Sequence, residues 1–112
     1  MKKHMILGAL LATALTLTAT TVSAADGKAL YEKNCTKCHG ADGKGNTKMG
    51  QKMGAKDYSS PKSWENLTDA AAIKAVKDGL KDKDGKVVMK PTEGVSDDDA
   101  KAIIDYMKTL KK

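Results

Sequence analysis

Residues 35–39, Cys-Thr-Lys-Cys-His, constrain the fold of this 112-residue chain more than any other segment. Two cysteines spaced C-x-x-C and followed directly by a histidine form the attachment pattern of a c-type haem. On a helical turn, positions i, i+3 and i+4 share one face. Cys35 and Cys38 can therefore both reach the vinyl groups on one edge of a porphyrin, while His39 places an imidazole nitrogen under the iron. We expect one covalently attached haem c per chain, with His39 as an axial iron ligand.

Three other interpretations of the motif are open but weaker. A thioredoxin-type dithiol normally lies in a βαβ pattern, which this sequence lacks. A structural zinc site needs four protein ligands. The chain has two cysteines and two histidines, and His4 lies in a segment that we expect to be removed. A disulfide across two intervening residues would close too small a loop to stabilise the chain much.

Residues 1–24 have the pattern of a secretory signal peptide. A basic start at residues 2–4 precedes an apolar run over 5–17, and the small residues 22–24 fit the site that a signal peptidase reads. Cleavage after Ala25 fits nearly as well as cleavage after Ala24. The apolar run is shorter than the roughly 20 residues of a spanning helix, so we expect no membrane span once the signal is removed. The prediction is a periplasmic protein, which agrees with the attachment of c-type haem outside the cytoplasm in bacteria.

Residues 25–112 then make one small domain with few aromatic side chains. The chain has no Phe, one Trp and three Tyr. A domain of this size buries only about 60% of the surface of its unfolded chain, and small scaffolds usually need a further stabilising element. A covalently held haem supplies a large apolar surface around which short helices can pack.

The positive charge of the chain comes from lysine, since the sequence has no arginine, and its distribution is uneven. Between positions 37 and 62 there are six lysines and two aspartates, whereas positions 93–99 hold four acidic residues and no lysine. An uneven charge distribution of this kind creates an electric field that can steer an encounter with an acidic redox partner. A lysine-rich surface that only serves solubility is an equally good explanation. The lack of arginine and of interleaved aromatic residues, together with secretion, argues against nucleic acid as a partner.

Three segments have the periodicity and the end signals of helices. The first covers residues 26–38. The second covers residues 69–78, with Thr68 as N-cap, Gly79 after its end, and an apolar stripe. That stripe consists of Ile73, Val76 and Leu80. The third covers residues 97–110, with Ser96 as N-cap and three aspartates in its first turn. Its buried face consists of Ala100, Ile103, Ile104, Met107 and Leu110.

Two long stretches between these helices lack a regular pattern. The stretch 40–66 is rich in glycine and allows one short helical turn over 48–53, and the stretch 81–95 has a turn signal at positions 84 and 85. Loops of this length are unusual in a compact domain unless they have a function, such as wrapping a cofactor. The sequence therefore predicts an all-α fold with three main helices and with loops wrapped around one covalently attached haem.

A methionine on the face opposite His39 would complete an electron-transferring iron site. After the signal the candidates are Met49, Met53, Met89 and Met107. Met107 faces inward on the last helix, and Met49 and Met53 follow His39 closely and could fill gaps in the core. Met89 lies in a loop before Pro91, far enough along the chain to cross to the other face, although it could instead be a hairpin strand residue. We favour Met89, with the other three and an open iron site as alternatives.

The sequence resembles the small soluble class I c-type cytochromes of bacteria. The resemblance rests on Gly27, Tyr31 and the motif Cys-x-x-Cys-His-Gly at 35–40, on Met-Lys-Pro at 89–91, and on Ile103-x-x-Tyr106. It implies the class I cytochrome c fold, with the first and last helices crossing at Gly27 and Ile103, and with Tyr31 near Tyr106. It also implies axial ligation by His39 and Met89. In that family the other nitrogen of the histidine donates to a loop carbonyl, which we expect within residues 49–52.

One departure from the family is visible at residues 92 and 93. Many of those proteins carry an aromatic residue just after the proline, whereas this chain has Thr-Glu there. Trp64, Tyr58 and Lys62 are candidate donors to the haem propionates, although Trp64 could simply fill the core.

The resemblance implies a monohaem one-electron carrier that is not an enzyme, works as a monomer, and serves periplasmic or membrane redox partners with acidic docking surfaces. The alternative is a haem protein with an open distal site, either peroxidase-like or gas-binding. After the signal the sequence has no second histidine and no arginine, which argues against peroxide chemistry.

Overall fold

A computed structural model of the protein describes Gly8 and residues 26–112. The predicted signal peptide lies outside the described residues, apart from Gly8, and so does its cleavage site. Among the helices of the described part of the chain, none combines the length and the apolar character that crossing a bilayer requires.

The described residues form five α-helices, one 3-10 helix and a two-stranded antiparallel hairpin. The α-helices are α1 (Gly27–Asn34), α2 (Thr36–His39), α3 (Lys48–Met53), α4 (Asp69–Asp78) and α5 (Asp97–Lys108). The 3-10 helix covers Pro61–Trp64. The hairpin strands are β1 (Leu80–Lys81) and β2 (Val87–Met89). The short helical turn expected at 48–53 is therefore present as α3.

The ends of α4 and α5 follow the sequence signals. The hydroxyl of Thr68 accepts a hydrogen bond from the amide of Ala71 and caps α4. Ser96 and Asp99 form a reciprocal capping box at the start of α5, since each side chain accepts from the other residue's amide. Such caps satisfy amides that a helix leaves without intrahelical partners.

The helices α1 and α5 cross in close backbone contact. A Cβ atom at Gly27 would overlap the backbone carbonyl of Ala102 and lie 3.3 Å from the amide nitrogen of Ile103. One turn further along, the rings of Tyr31 and Tyr106 lie 5.4 Å apart, a tilted aromatic contact. Both expectations for this crossing are confirmed.

The core is built on α5, with α1 and α4 packed against it. Its buried apolar residues are Tyr31, Cys35, Ala72, Val76, Ala100, Ile103, Ile104 and Met107. The predicted buried face of α5 is thus confirmed except at Leu110, which is half-buried. The prediction that Leu80 belongs to the stripe of α4 is wrong, because its side chain is 47% exposed. The helix ends at Gly79, whose φ of +75° turns the chain, so that Leu80 starts a strand instead.

The predicted first helix is interrupted at Cys35. The amide of Cys35 still donates to the carbonyl of Tyr31 at 2.8 Å. The next carbonyl, that of Glu32, accepts from the Thr36 hydroxyl at 2.8 Å. A threonine side chain that bonds four residues back competes with the backbone pattern of a helix. The regular helical pattern is therefore broken at the first cysteine of the motif.

The stretch 81–95 contains the hairpin, which the sequence analysis gave only as the alternative setting for Met89. The Asp82 carboxylate accepts from the amides of Asp84 and Lys86, each at 2.9 Å, and thereby closes the turn. Strand pairing places Met89 opposite Leu80. Met89 thus lies at the end of β2 rather than in an irregular loop.

Candidate haem site

The motif residues lie on one helical turn. The carbonyl of Cys35 accepts from the amide of Cys38 at 3.3 Å and from the amide of His39 at 2.9 Å. These i+3 and i+4 bonds give the spacing that brings two sulfurs and one imidazole to a common face. The structure therefore brings Cys35, Cys38 and His39 together in the arrangement that the sequence predicts.

Two side chains fix this turn to the elements on either side. The buried hydroxyl of Tyr31, on α1, donates to the carbonyl of Gly40 at 2.5 Å. The hydroxyl of Thr47 donates to the carbonyl of Cys38 at 2.7 Å and accepts from the amide of Gly50 at 2.9 Å, so that it also caps α3. Each bond satisfies a carbonyl at the end of α2 that has no partner within the helix.

The loop after the motif is held by backbone bonds. The carbonyl of His39 accepts from the amide of Gly45 at 2.9 Å, and the carbonyl of Gly43 accepts from the amide of Tyr58 at 2.7 Å. The ring of Tyr58 consequently lies 5.7 Å from the ring of His39. The sequence does not predict this pairing, because it joins residues far apart in a glycine-rich segment without periodicity.

The His39 imidazole is in a state suited to iron. Its Nδ1 is buried and has no hydrogen-bond partner among the described residues. Burial lowers the pKa of His39, because desolvation penalises the charged imidazolium. The ring is therefore neutral at pH 7, which is the form that binds a metal. A buried polar atom without a partner is unusual, and this nitrogen lacks the carbonyl acceptor that the family resemblance implies.

The expectation that a carbonyl within residues 49–52 accepts from His39 is wrong in this structure. Two of those carbonyls point into the end of α3 instead. The carbonyl of Gly50 accepts from the amide of Ala55 at 2.8 Å, and that of Gln51 accepts from the amide of Gly54 at 3.4 Å. The left-handed conformation of Gly54 ends the helix and directs these bonds inward.

Both motif cysteines are free thiols. Cys35 is buried in the core, and its burial, with the neighbouring Cys38, raises its pKa to about 11. A thiol with a raised pKa is a poor redox nucleophile, since the thiolate is the reactive form. In addition, no three or more His, Cys, Asp or Glu side chains within residues 26–112 are grouped to hold a metal ion. The dithiol and zinc interpretations are therefore less consistent with the site than haem attachment is.

The four candidate methionines occupy different environments. Met107 is buried in the core, as expected. Met89 is half-buried and packs against the same cluster, which also contains Cys35. Met49 and Met53 lie on α3 outside this cluster, and Met49 lines a surface cavity with three lysines. Met89 is thus the methionine that joins the core around the motif and still has an accessible side.

The position of Met89 is fixed by the end of α4. A Cβ at Gly79 would overlap the Met89 carbonyl and lie 2.8 Å from the Pro91 nitrogen. Beyond the proline, the amide of Thr92 donates to the carbonyl of Val76 at 2.9 Å. From the sequence alone, Gly79 signals only the end of a helix, because its approach to Met89 depends on the hairpin that follows.

The candidate propionate donors differ in their availability. The indole nitrogen of Trp64 donates to the carbonyl of Tyr58 at 2.9 Å, and the ring packs edge-on against the Tyr58 ring. Trp64 therefore acts as a packing residue with its donor in use. Within the described residues, the Tyr58 hydroxyl and the Lys62 ammonium have no hydrogen bond to protein, so they remain the candidates.

The fold and the motif define a class: small, mostly helical proteins built to hold a prosthetic group on a Cys-x-x-Cys-His turn. The family model of cytochrome c matches residues 24–111, and the chain belongs to that family. Membership implies a covalently bound c-type haem and places the chain among haem electron carriers.

Solved structures agree with this assignment. The c-type cytochrome KustC0563 is 26% identical, with a TM-score of 0.67, over 78% of this chain and 99% of that one. A tyrosine-to-phenylalanine mutant of Kustc0563 is 24% identical, with a TM-score of 0.64, over 77% of this chain and 99% of that one. The reducing HAO-like protein complex Kustc0457/Kustc0458 of Kuenenia stuttgartiensis matches at 19% identity and a TM-score of 0.58, over 78% of this chain and 42% of that one. A comparison with curated proteins gives no match. The fold is that of class I cytochrome c, as the sequence predicts.

Proposed function

We propose that this protein is a monohaem one-electron carrier in which His39 and Met89 are the axial ligands and Cys35 and Cys38 hold the haem through thioethers. When bound, the haem supplies an iron that alternates between the ferric and ferrous states. The protein's own residues tether the group, orient the histidine, and keep water away from the metal. The observation that carries the proposal is the helical turn that brings the buried, neutral imidazole of His39 together with two free thiols.

The role of Met89 is supported by its packing. It shares a hydrophobic cluster with Cys35, and its backbone is held against Gly79 at the end of α4. A thioether held by a rigid backbone can stay at one position when the charge at the iron changes. Thioether ligation also raises the reduction potential of haem iron.

An open distal site is the competing proposal. It would need a polar group in the distal pocket and a Met89 that stays off the iron. After residue 24 the chain has one histidine, His39, and no arginine to assist peroxide cleavage. The similarity to an HAO-like complex, at 19% identity, concerns the fold alone. We therefore favour electron transfer over catalysis.

The proposal also includes the redox partners of the protein and its location in the cell. We infer export to the periplasm after removal of residues 1–24, action as a monomer, and brief docking with redox proteins that carry acidic surfaces. The excess of lysine that follows the motif supports acidic partners, because opposite charge accelerates encounter. Weak redox encounters have small interfaces.

Mass spectrometry of the denatured, purified protein tests the proposal. Material from cells able to attach c-type haem should carry the mass of one haem per chain and should begin at residue 25 or 26. Replacing Cys35 and Cys38 together by Ala should leave a colourless chain. Addition of carbon monoxide to the reduced protein separates the two proposals, since an open site binds it and a methionine-ligated iron does not. An unmodified mass would refute both proposals.

A further inference from the structure

The rotation of the His39 ring is the feature of the site that the backbone of the motif does not determine. The torsion that turns an imidazole about its Cβ–Cγ bond has broad minima, so that a neighbouring group has to select one rotation. Metal-bound histidines are usually oriented by a hydrogen bond from their second nitrogen. The buried Nδ1 of His39 has no such partner among the described residues. The orientation of this ring therefore has to come from packing.

The aromatic ring that packs against His39 is that of Tyr58. The two ring centroids lie 5.7 Å apart, with 56° between the ring planes. Aromatic rings prefer tilted or offset arrangements at separations of about 4.5–7 Å, so that this contact is favourable. Both residues are half-buried. A rotation of the imidazole would therefore disturb its contact with a ring that is itself packed in the protein.

Tyr58 is held by contacts on two sides. Its amide donates to the carbonyl of Gly43 at 2.7 Å. Its carbonyl accepts from the indole nitrogen of Trp64 at 2.9 Å, and its ring lies 5.2 Å from the Trp64 ring in an edge-on contact. The backbone and the ring of the tyrosine are thus both fixed, and a fixed ring can act as a stop for the neighbouring imidazole.

The backbone of Tyr58 is also tied to the backbone of His39. The amide of Gly45 donates to the His39 carbonyl at 2.9 Å. A Cβ atom at Gly45 would lie 2.8 Å from the carbonyl oxygen of Ala55 and 3.0 Å from that of Lys56. The absence of a side chain at Gly45 therefore lets segment 43–45 lie directly against segment 55–58. This contact sets the distance between the histidine and the tyrosine.

We propose that Tyr58 is the positioning residue of His39, and that its ring selects the rotation at which the imidazole presents its other nitrogen to the iron. Tyr58 acts through the histidine and is not an iron ligand. The inference rests on the proposed function, in which His39 is an axial ligand, and deepens it by naming the residue that sets the plane of that ligand.

The ring of Tyr58, rather than its hydroxyl, has this role. The hydroxyl is a candidate donor to a haem propionate, which is a separate function. Tyr58→Phe keeps the ring and removes the hydroxyl, whereas Tyr58→Leu removes the ring. Comparison of the two variants therefore separates the orientation of the histidine from the binding of a propionate.

Proton magnetic resonance of the haem-loaded ferric protein, with cyanide added, tests the proposal. Cyanide replaces the methionine and is linear, so that the spread of the haem methyl signals then reports the plane of the histidine. Tyr58→Phe should keep the order and the spread of the wild-type signals. Tyr58→Leu should narrow the spread, because a ring that samples several rotations averages the asymmetry. A wild-type spread in Tyr58→Leu, or equal narrowing in both variants, would overturn the proposal.

Tyr106→Leu is the matched control for a general loosening of the fold. Tyr106 is another half-buried tyrosine, and its ring packs against that of Tyr31 at the crossing of α1 and α5. Its replacement should destabilise the fold as Tyr58→Leu does, but it should leave the methyl signals unchanged. Equal narrowing in Tyr106→Leu and Tyr58→Leu would refute a specific role of Tyr58.

Tyr58→Met keeps the test decisive if the leucine variant does not fold. Methionine is flexible and fills irregular gaps, but it offers no rigid ring, so that the spread should narrow. A histidine-ligated protein with the wild-type spread in Tyr58→Met refutes the positioning role alone. A chain without haem, or a haem-loaded chain without the shifted imidazole signals of His39, refutes the proposed function itself.

Discussion

The hydroxyl of Tyr31 donates a buried hydrogen bond to the backbone carbonyl of Gly40, 2.5 Å away. This contact joins α1 to the residue that follows His39, so that the first helix and the end of the motif form one unit. Burial raises the pKa of Tyr31, and the hydroxyl stays protonated as the donor.

Replacing Tyr31 by Phe should therefore destabilise the protein without emptying the core. We expect a loss of about 1 kcal/mol, the typical value for one hydrogen bond, because the Gly40 carbonyl also accepts from the Gly43 amide. For a domain of this size that lowers the thermal midpoint by about 4–8 °C. Tyr106→Phe is the matched control, since the Tyr106 hydroxyl makes no hydrogen bond within the described residues. Equal thermal midpoints for the two variants would show that the Tyr31 hydrogen bond to the Gly40 carbonyl does not stabilise the fold.

Gly27→Ala should separate the first and last helices. Its new methyl group would overlap the Ala102 carbonyl, and backbone cannot move aside as a flexible side chain does. Overpacking of this kind costs about 1–3 kcal/mol, whereas Lys33→Ala on the exposed face of α1 should change the stability by under about 0.5 kcal/mol. Chemical denaturation of the haem-loaded variants measures both values. A Gly27→Ala protein as stable as the wild type would show that the helices cross elsewhere.

Gly79→Ala should disturb the proposed Met89 ligand more than it lowers the free energy of unfolding. The added Cβ would push against the Met89 carbonyl and Pro91, and the positive φ of Gly79 adds strain. We expect a weakened charge-transfer band between methionine and ferric iron, recorded in the absorption spectrum.

Gly85→Ala provides the control for that experiment. Gly85 has a similar positive φ of 81° but has open space around its Cβ position. It should therefore show only the strain of the left-handed backbone, roughly 1–2 kcal/mol, with an unchanged band. An unchanged band in both variants would mean that Gly79 does not position Met89.

The ion pair between Asp69 on α4 and Lys108 on α5 should stabilise the fold at neutral pH, and this stabilisation should be lost in acid. The hydrogen bond from Lys108 lowers the pKa of Asp69. A lowered folded-state pKa gives stability that is complete above the ordinary aspartate pKa, about 3.9, and is lost as the pH falls through the lower folded value. Asp69→Asn should therefore lower the thermal midpoint slightly at pH 7 and not at the acid end.

Salt provides a second check on this pair. Asp69 is exposed and Lys108 is partly exposed, so that ions screen the attraction and its effect should vanish at about 1 M salt. Asp84→Asn removes the same charge from a turn without an ion pair among the described residues. If Asp84→Asn and Asp69→Asn respond alike to pH and salt, net charge rather than the pair is responsible.

The parts of the fold that the sequence predicts well are those governed by local rules. Helices α4 and α5 begin where Thr68 and Ser96 cap them, and a cap depends on a few consecutive residues. The turn 35–39 is equally local, because its spacing alone puts both sulfurs and the imidazole on one face. The contact between Gly27 and Ile103 was predicted from the family resemblance. Periodicity alone does not show which helices cross.

The features that the sequence did not predict depend on contacts between distant segments. By its spacing, Leu80 continues the apolar stripe of α4. In the structure the helix ends before Gly79, and Leu80 begins strand β1. The Val-Val-Met run after Asp-Gly at 84–85 was a signal for the hairpin, but its short strands also fitted a loop. The ring contact between His39 and Tyr58 joins residues 19 positions apart through glycines, and no periodic pattern reports such a contact.

A redox titration of the purified protein, followed by its visible spectrum, tests the central claim most directly. The account predicts one reversible one-electron transition, with the methionine charge-transfer band in the oxidised form and no response to carbon monoxide in the reduced form. In Met89→Ala the band should be absent. A wild-type protein that binds carbon monoxide, or a band that persists in Met89→Ala, would contradict ligation of the iron by His39 and Met89.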